Sequence, residues 1–109
     1  MVKLKTITIE KLLELQHNKE PFKLVEVLPE KSYQEEHIAG AINIPANQLD
    51  KLASKMLDKD ETIIVYCSNY SCNASPAAAK KLISMGYKNV YDFSAGKKGW
   101  KDAGLQMER

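Results

Sequence analysis

The chain has 109 residues, 44% hydrophobic and 28% charged, a composition that fits one soluble domain able to bury a core without disulfide or metal staples. Sixteen Lys plus Arg against fourteen Asp plus Glu leave a net charge of +2, too small to argue for nucleic acid or membrane as a partner. The opening residues lack a leader-like apolar run and no stretch is long enough to span a bilayer, so residues 1–109 are expected to form a single cytoplasmic domain with reduced thiols.

Thr8 precedes apolar positions 9, 12, 13 and 15, a spacing that predicts a short amphipathic helix with Thr8 as its N-cap. Residues 22–27 are rich in β-formers and read as a strand, and 31–36 as a single helical turn. A short strand over 41–44 is stopped by Pro45, and apolar positions 49, 52, 53, 56 and 57 predict a helix over 48–57. Residues 62–66 form a nearly continuous apolar run, the pattern of a central parallel strand covered on both faces. Ser75 as N-cap and Pro76 at the first helical position are expected to open a helix over 77–85, which Gly86 ends. A strand over 89–93 and a last short helix over 97–103 complete the chain. Strands alternating with helices imply an α/β fold with a mostly parallel sheet.

The chemistry is expected where the apolar strand ends, at Cys67. A polar loop follows it and leads into a helix N-terminus, where unpaired backbone N–H groups and the helix dipole favour negative charge. A cysteine there is expected to ionise readily and to act as a nucleophile. The expected substrate-binding segment is Ser68, Asn69, Tyr70, Ser71, Cys72, Asn73, Ala74 and Ser75. Free cysteines are also common as buried filler, and on these residues alone both readings stay open. The spacing of Cys67 and Cys72 matches no usual zinc pair and no second pair exists, so neither a metal site nor a cofactor is expected.

Several segments resemble the rhodanese-like family. The run from His37 to Pro45, His-Ile-Ala-Gly-Ala-Ile-Asn-Ile-Pro, is similar to that family's His-Ile-x-Gly-Ala-x-Asn-Ile-Pro signature. Leu24-Val-Glu-Val27 resembles its first core strand, and Ile64-Val-Tyr-Cys67 resembles the strand that ends in its active-site cysteine. Gly86-Tyr87-Lys-Asn-Val90 and Ala95-Gly96-Lys-Lys-Gly-Trp100 resemble its Gly-Tyr-x-x-Val and Gly-Gly-x-x-x-Trp segments. Three departures stand out: Leu28 replaces the usual first-strand arginine, Ala95 replaces a glycine, and the loop carries neither Arg nor Lys. The loop is also longer than in many relatives, with Ser75 eight positions past Cys67.

The resemblance implies a central sheet flanked by helices on both faces, and a sulfurtransferase in which Cys67 accepts sulfur as a persulfide. The donor would be a small sulfur-containing anion or a persulfide, and the acceptor a thiol or a protein. Two alternatives accompany it: cysteine-based phosphatase or arsenate-reductase chemistry, and a non-catalytic binding or redox-sensing module. Cys72, standing where many relatives carry arginine, is a candidate resolving thiol, with buried filler as the plainer role. His37 is expected to be structural, His17 solvated and Trp100 a packing residue, and Lys97, Lys98 and Lys101 are expected to form a solvated face.

Overall fold

The structure, a computed structural model, describes residues 4–109; Met1, Val2 and Lys3, where the stretch read for a leader begins, lie outside the described residues. Helix α1 (Ile9–His17) starts where its cap predicts. Thr8 is extended, and its hydroxyl oxygen accepts the Lys11 N–H at 3.1 Å. Strand β1 (Lys23–Glu26), helix α2 (Glu30–Glu35), strand β2 (His37–Ile38) and strand β3 (Ile42–Asn43) follow. A 3-10 turn (Ala46–Gln48) runs into α3 (Leu49–Met56). Then come β4 (Thr62–Tyr66), α4 (Ala74–Ser84), β5 (Asn89–Asp92), α5 (Gly96–Asp102) and β6 (Met107–Glu108).

Four strands form a parallel sheet in the order β3-β1-β4-β5. The apolar run of β4 lies inside it, and Ile63, Ile64, Val65 and Tyr66 are all buried. Strand alternation sends Ile63, Val65 and Cys67 toward one face, where Leu49 and Ala53 of α3 and Ala78 and Leu82 of α4 pack. Ile64 and Tyr66 point to the other face, against Leu12 of α1 and Trp100 of α5. Helices therefore cover both faces, as expected, and the side chain at 67 is aimed toward α3 and α4.

Two features differ from the expectations. The antiparallel pair of β2 with β6 is unpredicted, because two-residue strands carry no readable period. Helix α4 begins before Ser75: Asn73 is its boundary residue, without a side-chain cap bond, and Ser75 and Pro76 lie inside the first turn. The Ser75 side chain is buried and engaged with Cys67, so it is not free to cap. Pro76 is tolerated there because first-turn N–H groups have no partner within the helix to lose.

Candidate active site

Cys67 immediately follows β4, and the next residues are gripped from behind by α5. The Lys97 N–H donates to the Cys67 carbonyl at 2.9 Å and the Lys98 N–H to the Ser68 carbonyl at 2.8 Å. This approach requires glycine at position 96. Its φ is +65°, and a Cβ there would stand 2.6 Å from the Cys67 carbonyl oxygen and 2.9 Å from the Asn69 nitrogen. Ala95 tolerates its methyl group because its φ is −62° and because Gly99, whose own Cβ would fall 2.5 Å from that methyl, leaves the space. Beyond Asn69 the loop closes on itself: the Asn69 side-chain oxygen accepts the Ser71 N–H at 2.9 Å, and its carbonyl accepts the Cys72 N–H at 3.1 Å.

Cys67 is 1% exposed. Its sulfur lies 3.3 Å from the Ser75 hydroxyl oxygen and 3.6 Å from the Cys72 carbonyl oxygen. The expectation of a readily ionised Cys67 is corrected here. Burial pushes its thiol above the ordinary value, the Cys72 thiol adds to that, and the Ser75 hydroxyl and N–H only partly oppose it. Cys72 is shifted the other way. Burial works against its thiolate, but the Cys67 thiol and the N–H groups of Ser68 and Ala74 outweigh burial and hold it below the ordinary value. Both cysteines are free thiols.

Of the eight loop residues expected to bind substrate, the structure gathers Ser68, Cys72, Ala74 and Ser75 around the Cys67 sulfur and its neighbour. Asn69 braces the loop instead, and the N–H groups of Ser71 and Cys72 are spent on it. Tyr70 is 78% exposed, and Ser71 and Asn73 are also exposed at the rim.

Two buried groups near the loop escaped sequence reasoning. Asp92 shares the face of Val90 and Val65, and its carboxylate disfavours charge on Cys72. One of its oxygens accepts from the Ser94 hydroxyl at 3.2 Å, and the other has no hydrogen-bond partner among the described residues. The two-residue alternation of β5 was the available signal, because it puts 92 on the same face as Val90. Glu26, fully buried, accepts from the Tyr66 hydroxyl at 2.8 Å and from the Lys97 ammonium at 3.1 Å. Burial first and then the Glu26 carboxylate push the Tyr66 phenol far up, so it serves as a neutral donor. Lys97 is thus not part of a solvated face, whereas Lys98 and Lys101 are exposed and paired with Asp102 and Glu36. The chain's only arginine is Arg109, which acts on Glu36.

The expectations for His37, Trp100 and His17 hold. The His37 ring stacks on Tyr33 at 3.8 Å, and its Nδ1–H donates to the Tyr33 carbonyl at 2.8 Å. Trp100 is buried edge-on to Phe93 and donates to the Gln106 carbonyl at 2.8 Å. His17 is exposed.

Comparison with known proteins decides the family. The rhodanese-like domain matches residues 8–103. The chain belongs to the rhodanese-like family. It is 35% identical over 78 residues to the thiosulfate sulfurtransferase GlpE of Coxiella burnetii, a match covering 72% of this chain and 70% of that protein. Against the thiosulfate sulfurtransferase PspE of Escherichia coli it is 37% identical over 68 residues, 61% of this chain and 62% of that one. Among solved structures, the BH2092 protein of Bacillus halodurans superposes with a TM-score of 0.87 at 30% identity, covering 95% of this chain and 76% of that one. The Alr3790 protein of Anabaena does so at 0.86 and 28%, covering 94% and 79%. Among the described residues no helix is long and apolar enough to cross a membrane.

Proposed function

We propose that this rhodanese-like domain is a sulfurtransferase in which Cys67 takes a sulfur atom from a donor and hands it, as a persulfide, to a thiol acceptor. The observation that carries the reading is the placement of Cys67 at the carboxyl edge of the central strand, beneath the first turn of α4 and in contact with Ser75. Likeness to two proteins named thiosulfate sulfurtransferases supports it.

The chain's own residues define the step. Cys67 rests as a thiol, so attack requires its proton to leave. The Ser75 hydroxyl and N–H favour the thiolate as it forms, and the N–H groups of Ser68 and Ala74, which favour the Cys72 thiolate at rest, are the donors available to a persulfide. When no acceptor takes the sulfur, Cys72, next to Cys67, serves as a resolving thiol: it attacks the inner sulfur of the persulfide and closes a disulfide as sulfide departs, and an external thiol then reduces that disulfide to restore the two free cysteines. Phosphoryl or arsenate chemistry is not favoured, because no guanidinium stands in the loop to clamp an oxyanion.

The test is steady-state transfer of sulfur from inorganic polysulfide to a small thiol. Transfer should depend on the enzyme and vanish in Cys67→Ser; a Cys67→Ser variant with undiminished turnover would remove the cysteine from the mechanism.

A further inference from the structure

A groove of about 380 Å³ opens at the carboxyl edge of the sheet, beside the Cys67 loop. Its apolar wall is Val27, Leu28, Pro29, Pro45, Ala46 and Ala74. It neighbours the site: Ala74 adjoins Ser75, the contact of the Cys67 sulfur, and Val27 shares a buried cluster with Cys67 against which Ala46, Cys72 and Ala74 pack. The wall is held in place. The Asn43 side-chain amide donates to the Glu26 and Leu28 carbonyls at 2.9 Å each, and the Ala46 N–H donates to the Val27 carbonyl at 3.0 Å.

The charges around this groove are the wrong sign for a dianion. The loop 68–75 has no cation, and Glu30 is the charged residue lining the groove. Asp92 sets a further carboxylate near Cys72. Lys97, Lys98 and Lys101 line a separate cavity of about 320 Å³ against Ser68 and Asn69, and each is paired with a carboxylate. Thiosulfate would bring two negative charges to Cys67 with no cation in the loop or lining the groove to receive them, and desolvating such an anion without a partner is costly. A donor with one charge at most and an apolar body fits both the wall and the potential.

Building on the sulfurtransferase reading, we infer that the donor for Cys67 is an organic hydropersulfide, R–S–SH with an apolar R group lying in the Leu28–Pro45–Ala74 groove, and that thiosulfate is a poor donor. The Cys67 sulfur attacks the outer sulfur of R–S–SH. A new S–S bond forms to Cys67, the donor's S–S bond breaks with its electron pair going to R–S, and the proton given up by Cys67 ends on that leaving sulfur. The balance is Cys67–SH plus R–S–SH giving Cys67–S–SH plus R–SH, with no outside oxidant or reductant. A buried thiol suits this exchange, since it carries the proton that a departing thiolate needs and that sulfite does not.

The experiment loads the fully reduced protein with three donors at equal concentration and follows the gain of sulfur by intact mass. The donors are benzyl hydropersulfide, its anionic-tailed counterpart 2-sulfoethyl hydropersulfide, and thiosulfate, with the two hydropersulfide rates divided by their rates toward a free thiol. The benzyl donor should load Cys67 about tenfold or more faster than the sulfoethyl donor, the discrimination an apolar pocket provides, with thiosulfate slowest. Leu28→Arg, and separately the half-buried Ala46→Arg, should invert the order of the two hydropersulfides and speed thiosulfate. Equal corrected rates, or thiosulfate fastest on the wild-type protein, would overturn the donor assignment while leaving sulfur transfer standing. Absence of sulfur on Cys67 from every donor would take down the sulfurtransferase reading and this inference together.

Discussion

At the scale of single residues, the two cysteines are shifted in opposite directions. A strand end before a helix N-terminus is legible in the sequence, and the structure puts Cys67 at that position. Its ionisation is not legible, because burial is a property of the packed loop rather than of residue order. The chemical consequence is measurable. With burial raising Cys67 and the N–H groups of Ser68 and Ala74 favouring the Cys72 thiolate, alkylation by iodoacetamide should reach Cys72 first as pH rises. The Cys72 midpoint should fall below that of an ordinary thiol and that of Cys67 above it. Peptide mapping across a pH series checks this, and Cys67 labelled first at neutral pH would contradict it. Cys72→Ser should also lengthen the life of a persulfide on Cys67, followed by mass after donor removal. An unchanged lifetime would return Cys72 to a packing role.

At the scale of elements, the long periodic segments were readable and the short ones were not. The α1 pattern, its Thr8 cap and the β4 run all appear where the residues place them, because hydrophobic period and cap chemistry act locally. The α4 boundary moved because the buried contact of Ser75 with Cys67 displaced its usual capping role. The union of α5 with the cysteine loop was hidden for a different reason. It rests on Gly96 and on the buried pair of Glu26 and Lys97, residues far apart in sequence that only the sheet register brings together. That pair gives a stability prediction. The Glu26 side chain is fully buried and that of Lys97 is 15% exposed, so Glu26→Gln leaves the ammonium without a counter-charge. The expected loss is about 3 kcal/mol, the lower end for breaking a buried pair from one side, read from urea unfolding. A loss smaller than about 1 kcal/mol, the level of an exposed pair, would mean that solvent already screens it.

At the scale of the whole molecule, strand order positions the candidate site. Placing β4 between β1 and β5 makes the carboxyl edge of the most buried strand the floor of the site. The loop after β1, the turn after β3 and the first turn of α4 then form the neighbouring groove. Alternating strands and helices made the α/β layering legible, while the groove's lack of a lining cation depends on the packed structure, which sets Lys97, Lys98 and Lys101 against Ser68 and Asn69 instead. The central claim, sulfur carried by Cys67, is tested most directly by intact-mass and peptide-level spectrometry after exposure to a hydropersulfide. The account predicts a gain of one sulfur on the peptide containing Cys67, reversed by reductant and absent from Cys67→Ser. The same gain in Cys67→Ser, or sulfur found on Cys72 with Cys67 unmodified, would contradict it.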